Sequence, residues 1–485
     1  MALLAGACTV GPNYHPPALA VPPSYGEPQP VPPGANIDPA RWWSAFGDAR
    51  LDSLVDRALK GSPDIAIAAS RVREARLGEI GARAAGKPTV DATADASHVE
   101  FSKNAGFSSL ARLFSSGSGG GSGSGSGATG VALPGSGITT YAVGFDASWE
   151  LDLFGGDRRG VEASVARTDA AVWNQRDAAV TLAAEVAQAY FALRLDQDQV
   201  AIVEQELIRQ RRALEIAGNI ARVGLTPEID VTRQRGGVTA LEARLEPIRA
   251  DARVRIHSLA ILIGEAPEAL DAELTAPADS LAVLPLVPAG LPSDLLRRRP
   301  DIRAAERQLA AATADIGVAV SDLYPKISLT GVAQLVSTSL ANLFTGDSLQ
   351  LTAQGSASFP LFDWGKRRAT VKIRREQREQ AYAQYRATVL RALRDVEDPL
   401  ARLDSERRRN ASLKRAVEDN AKTAHAVEAQ YRTGFVAQDS LLNAENQVLS
   451  AREQLAASDA QLRQDTAALF KAIGGGWEEP ASPAG

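Results

Sequence analysis

The sequence predicts a mainly α-helical chain with a β-barrel part, built as a tandem repeat in which each half supplies one β-hairpin and one pair of long helices. Three observations predict it. The chain matches itself at an offset of about 210 residues over its longest stretches. Segments in each half alternate apolar and polar residues with period two. Long stretches keep an apolar or small residue at every seventh position.

The repeat rests on two clear matches. Phe154-Gly155-Gly156-Asp157-Arg158-Arg159 corresponds, give or take one residue, to Phe362-Asp363-Trp364-Gly365-Lys366-Arg367-Arg368, and Arg222-Val223-Gly224-Leu225 to Arg432-Thr433-Gly434-Phe435. Earlier in each half, Pro63-Asp64-Ile65 matches Pro300-Asp301-Ile302 and Pro88-Thr89-Val90 matches Pro325-Lys326-Ile327, at an offset of about 237. The first half therefore carries an insertion of about 27 residues, explained by the run of only Ser and Gly from Ser115 to Gly127, which reads as a flexible loop. The organisation expected is an extended N-terminal segment 1–40, a first repeat 41–280, a Pro-interrupted linker 281–292, a second repeat 293–473 and a tail 474–485.

The strands come next in order. Tyr141, Val143, Phe145, Ala147, Trp149, Leu151 and Leu153 alternate with Ala142, Gly144, Asp146, Ser148, Glu150 and Asp152, which predicts a strand over about 139–154. The second half alternates likewise over about 348–362, and shorter alternations predict strands over about 88–99 and 325–335. Segments of about ten residues with one apolar and one polar face have the pattern of tilted outer-membrane strands. No stretch has the eighteen or so continuous apolar residues of a spanning helix, so any crossing is expected from these strands. Four strands cannot close such a barrel, because hydrocarbon tolerates no unpaired edge and about eight are the minimum. Several chains must share one; three would give twelve strands around a lumen lined by Asp, Ser, Thr and Gln. Soluble hairpins packed on helices are the other reading of the same pattern.

The helices are expected over about 157–222 and 227–264 in the first half, and about 293–321, 365–432 and 438–472 in the second. Val165, Val172, Ala179, Val186, Leu193, Val200, Leu207, Leu214 and Ala221 hold a strict seven-residue spacing, which demands a left-handed supercoil. In the second half Asn410 interrupts the seam, where a polar residue can specify register. A helix over 157–222 would extend about 100 Å at 1.5 Å per residue. Pro399 predicts a kink in its mate, and Pro247 with Gly236-Gly237 weakens the returning helix. Taken alone, these rods suit a coiled-coil scaffold without a pore equally well.

Composition excludes several functions. Of 485 residues, 45% are apolar and 23% charged, and the net charge of -5 offers nucleic acid no general attraction. The one cysteine forbids an internal disulfide, and His15, His98, His257 and His425 lie far apart without ligand spacing, so no metal or other cofactor is expected. No nucleophile motif or phosphate loop occurs, which argues against an enzyme. Arg297 to Arg299 and Arg407 to Arg409 read as solvated helix surface. Cys8 follows Leu3-Leu4-Ala5-Gly6-Ala7, like the residue lipidated at the end of a bacterial lipoprotein signal, although no basic region precedes that run; the alternative is an ordinary buried cysteine.

Specific motifs then carry a resemblance. Cys8-Thr9-Val10-Gly11-Pro12-Asn13-Tyr14, Trp42-Trp43 with Phe46 and Asp48, and Glu150-Leu151-Asp152-Leu153-Phe154-Gly155 are three of them. Gly290-Leu291-Pro292-Ser293-Asp294-Leu295-Leu296-Arg297-Arg298-Arg299-Pro300-Asp301-Ile302, Tyr324-Pro325-Lys326-Ile327-Ser328-Leu329-Thr330-Gly331 and Tyr431-Arg432-Thr433-Gly434 complete the set. In this order they make the chain similar to the TolC-like outer-membrane efflux factors, in particular the NodT-type lipoproteins, over nearly its whole length. The resemblance implies a protomer of a homotrimer lodged among outer-membrane lipids. Its twelve-stranded shared outer-membrane β-barrel, four strands per chain, is continuous with a long α-helical coiled-coil barrel in the periplasm. It implies export of drugs or other small solutes, with a periplasmic adaptor and an inner-membrane pump, commonly of the resistance-nodulation-division type, as partners. It assigns lipidation to Cys8 and adaptor contact to the helix-to-helix turns at Gly224, Leu225, Gly434 and Phe435, where the glycines also suit a left-handed helix end. Similar proteins narrow the channel just past the second turn with an apolar residue and an Asp one helical turn apart. Here those positions are Asp439 and Asn443, so a simple apolar gate is in doubt, and three copies of Asp439 would make an acidic ring. An Asp favoured by the helix dipole is the plainer account of position 439.

Overall fold

In the computed structural model, the structure describes residues 9–27, 37–100, 137–224, 227–276 and 284–477. Cys8, Leu225 and the Ser/Gly run lie outside the described residues.

The chain opens with a 3-10 turn, Pro39–Phe46, then α1 (Ala49–Gly61) and α2 (Pro63–Ala85). Strands β1 (Thr89–Glu100) and β2 (Gly137–Leu151) lead into the long helix α3 (Gly156–Arg222), and α4 (Glu228–Ile263) returns. The second half repeats the order with α5 (Pro292–Arg298), α6 (Pro300–Ser321), β3 (Lys326–Ser337), β4 (Leu349–Ser358), α7 (Lys366–Arg432) and α8 (Gln438–Ala472). Helices α3 and α7 are each 67 residues long, the same length in both halves.

Chain contacts divide the molecule into two compact units that cut across the repeat. One joins Met1–Tyr14, Gly78–Ser164 and Ala312–Glu376; the other joins His15–Leu77, Val165–Ala311 and Gln377–Gly485. Each unit therefore takes chain from both halves.

The first unit holds a four-stranded antiparallel sheet in the order β1-β2-β3-β4. Its register sorts the side chains by face. Ala92, Phe145, Ala333 and Leu351 form one cross-strand row, and Ala94, Val143, Leu335 and Leu349 the next. Between them lies the row Thr93, Gly144, Gln334 and Gln350, whose side chains point to the opposite face. The apolar rows are open: Phe145 is 60% exposed and Leu351 71%. β4 stops at Ser358, just before Phe359-Pro360, because proline cannot donate to a ladder.

The second unit is built on helix seams. Val203, Leu207, Val238 and Leu245 form one buried cluster between α3 and α4, flanked by Val200, Leu214, Leu241 and Ile248. Along α7 the seam is Val389, Val396 and Leu403, all buried, and α8 contributes Val448, Leu462 and Leu469. Asn410 is buried in the same seam and donates to Ser458 Oγ at 3.1 Å and Asp459 Oδ1 at 2.8 Å, so its polar group is satisfied by α8. An 18-residue window of α3 reaches a mean hydropathy of 1.2, close to that of a spanning helix, but 56% of it is buried within the protein as core.

Two expectations change. The helix expected over 293–321 is two helices, broken at Arg299 because the residue before Pro300 is driven out of the helical region (φ -75°, ψ 120°). Pro399 and Pro247 lie inside continuous helices α7 and α4, where each removes one ladder donor. Arg299 is not solvated surface: its side chain is 12% exposed, whereas that of Arg297 is 77% exposed.

Candidate functional site

The two helix-to-helix turns are built alike. After α7, Gly434 takes φ 75°, its N–H bonds Tyr431 O at 3.0 Å, and the next N–H, from Phe435, bonds Gln430 O at 2.9 Å. This pattern closes the last helical carbonyls and needs a left-handed residue. After α3, Gly224 has φ 77° and its N–H bonds Ala221 O at 2.9 Å. A Cβ at either glycine would meet nothing within 4 Å, so only backbone conformation requires glycine there. Gly434→Ala is therefore expected to cost about 1 kcal/mol from left-handed strain alone. A guanidinium denaturation midpoint lowered by that energy divided by an unchanged slope is the measurement. The turns expose apolar side chains, Val223 at the first and Phe435, 83% exposed, at the second.

Asp439 lies in the first turn of α8, with Ala437 as the N-cap, so its carboxylate complements the helix dipole. Sequence reasoning missed its partner. Arg233 on α4 places one guanidinium nitrogen 3.0 Å from Asp439 and 3.3 Å from Asp230. The three charges sum to one negative per chain. All are solvent-accessible, so the pairing contributes under about 1 kcal/mol and fixes orientation more than stability. Asn443, one turn further on, is exposed. Arg233 and Asp439 are 206 residues apart in sequence, which no local pattern reports.

Chain beside the lipidation candidate is firmly held. Val10 N–H bonds Phe154 O at 3.0 Å, and buried Arg159 donates to Val10 O at 3.2 Å and to Asn13 Oδ1 at 2.6 Å. Gly11 approaches so closely that a Cβ there would come within 2.5 Å of Gly317 Cα. Phe154 in turn stacks on Tyr324, ring centroids 4.7 Å apart. At the start of α3 the Asp157 carboxyl is pushed up by burial and then by Asp152 and Glu150, with Lys326 opposing. Among the described residues no group of His, Cys, Asp or Glu could hold a metal ion.

A sheet with exposed apolar rows, joined in sequence to two helices of 67 residues with buried apolar seams, defines a channel-forming membrane protein. The family pattern for outer membrane efflux proteins matches residues 54–265 and 291–475, and the chain belongs to that family, whose members are outer-membrane efflux channels. The chain is 29% identical to outer membrane protein OprJ of Pseudomonas aeruginosa, over 99% of this chain and 96% of OprJ. It is equally 29% identical to Nodulation protein T of Rhizobium leguminosarum bv. viciae, over 99% of this chain and 94% of that protein. Among solved structures, the outer-membrane channel OprN superposes with a TM-score of 0.84 at 31% identity, covering 97% of this chain and 100% of OprN. The open state of the Neisseria gonorrhoeae MtrE outer membrane channel gives 0.79 at 26% identity, covering 97% and 99%.

Proposed function

We propose that three copies of this chain assemble into one twelve-stranded barrel that, with its helices, forms an export duct for drugs or other small solutes. The observation that carries this reading is the sheet. Among the described residues β1 and β4 each have a single strand neighbour, and the apolar rows between them are exposed. In hydrocarbon such edges must be paired, and further copies of the same sheet can pair them.

In this reading the turns around Gly224, Leu225, Gly434 and Phe435 receive a periplasmic adaptor, with exposed Phe435 as the apolar contact. The adaptor links the duct to an inner-membrane pump of the resistance-nodulation-division type, which supplies the energy. The chain itself carries passage and no bond-making chemistry. Relatives named as efflux pump outer membrane proteins, such as TtgC of Pseudomonas putida, support this arrangement. Cys8 is the lipid attachment point, supported by the fixed path of Thr9 to Asn13, which holds the adjoining chain in the unit containing the sheet. Asp439 and Asn443 line the periplasmic aperture, and the Asp230, Arg233 and Asp439 group leaves it a ring of three net negative charges in the trimer.

Single-channel conductance of the full-length protein in planar bilayers tests this. Discrete steps are expected, and Asp439→Ala is expected to change step size or lower cation preference by removing one charge per chain. Steps unaltered by the substitution would remove Asp439 from the aperture. A sample with neither a heat-modifiable trimer nor membrane insertion would overturn the duct.

A further inference from the structure

Three glutamines from three helices are joined head to tail inside the helical unit. Gln438 on α8 donates to Gln234 Oε1 at 2.9 Å, and Gln234 on α4 donates to Gln210 Oε1. The Nε2 of Gln210 on α3 then donates twice, to Glu206 Oε1 at 2.9 Å and to Glu445 Oε2 at 2.8 Å. Glu206, Gln210 and Gln234 are 2%, 4% and 1% exposed. Each amide has its orientation fixed by the next, so Gln210 has only its NH2 to offer the two carboxylates. Their accepting oxygens consequently lie within about 6 Å of each other.

The charged groups around Glu445 do not balance it. Arg209 on α3 pairs with Glu206. α4 contributes the neutral Gln234, and Glu428 on α7 adds another carboxylate in range. Burial, then Glu206, pushes the Glu445 carboxyl up; Arg209 opposes, Glu428 adds to the rise, and the Gln210 N–H opposes, leaving it at about 7.

We propose that Glu206, Gln210 and Glu445 form a proton-dependent clamp fastening the first turns of α8 to α3, closed when Glu445 is protonated and loosened when both carboxylates are ionised. The protonated pair puts one negative charge on the shared amide, and the ionised pair puts two in a buried place. The folded carboxyl titrates above its ordinary range. The clamp is therefore at full strength below about pH 4.5. It weakens as pH rises and has lost its proton-linked part above about pH 7. The clamped turns carry Asp439 and Asn443, so its effect on conduction rests on the aperture reading above.

Hydrogen exchange of the full-length protein at pH 6 and pH 8, corrected for the intrinsic pH dependence of amide exchange, tests the clamp. Peptides covering 438–449 are expected to open about tenfold more often at pH 8 than at pH 6, the ratio set by a carboxyl titrating near 7. Glu445→Gln should abolish that difference, and Glu206→Gln should shrink it by moving the Glu445 titration downward. A wild-type protein with no difference, or a Glu445→Gln protein that keeps it, would overturn the clamp. Exchange that follows pH as expected while conductance steps do not would uphold the clamp and sink the aperture reading instead.

Discussion

Trp42→Ala should be among the most damaging single substitutions in the helical unit, costing about 3–5 kcal/mol. The indole is fully buried and stacks on Phe470 of α8, with centroids 5.0 Å apart and planes at 14°. Trp43 meets it edge-on at 5.8 Å and Phe46 at 6.2 Å, and Phe46 continues the cluster to Phe191 on α3 at 4.8 Å. Next to it, Tyr190 donates to Asp48 at 2.6 Å, while Asp48 caps α1 through Arg50 N–H at 2.9 Å. The short 3-10 turn thus ties the N-terminal helices to both a first-repeat and a second-repeat helix. Truncation leaves a cavity among large rings that belong to different helices and cannot collapse together. The expected measurement is the guanidinium midpoint of the far-ultraviolet helical signal, lowered with unchanged slope. Trp42→Phe, which keeps a stacked ring, should recover more than half of the loss. A Trp42→Ala midpoint like that of the wild type would show that Phe470 is held by other contacts.

The fold class was legible because both of its periods are local. Alternation from Tyr141 to Leu151 lies within the one strand β2, and the heptads through Val200, Leu207 and Leu214 lie within one helix, so each period survives without knowledge of its neighbours. The break at Arg299-Pro300 is equally local, because the residue before a proline is driven out of the helical region. Pro399 lies inside α7 without ending it. A proline costs a helix one donor and some crowding, and the seam of Val389, Val396 and Leu403 buries enough apolar surface to hold the helix together across it. For the candidate site the glycine turns were legible, since positive φ restricts residue type at one position. The charged partners were not. Glu445 meets Gln210 across 235 residues, and Arg233 meets Asp439 across 206, through packing that no period encodes. Residue type was no guide to burial in the run Arg297 to Arg299 either, because three adjacent arginines at a helix end point in different directions.

Arg299→Ala is the second substitution expected to act strongly, at roughly 3 kcal/mol, the lower end for a buried pair because its partners are partly exposed. The guanidinium donates to both oxygens of Asp301, at 3.0 and 2.7 Å, to Asp395 on α7 at 3.2 Å and to the carbonyl of Ala472 at 3.1 Å. It joins the start of α6 to α7 and to the last residue of α8. Although burial by itself disfavours the charge, the Asp301 and Asp395 carboxylates outweigh it and raise its basicity further. Removing it leaves two carboxylates facing each other and withdraws the stronger of the two cations, Lys471 being the other, that offset Asp301 at the partly buried Asp177, which burial already pushes up. The loss should therefore be larger at pH 8 than at pH 4, because the Asp177 carboxyl, already pushed up and pushed further without Arg299, is relieved when it takes up a proton at the lower pH. Arg299→Lys keeps the charge but not the fork, so it can hold Asp301 or the Ala472 carbonyl well but not all three partners together, and should restore less than half of the stability. Denaturation midpoints of the three proteins at the two pH values separate these effects. If Arg299→Ala cost the same at both, the packing of the arginine stem, and not its charge, would be what the α6 start depends on.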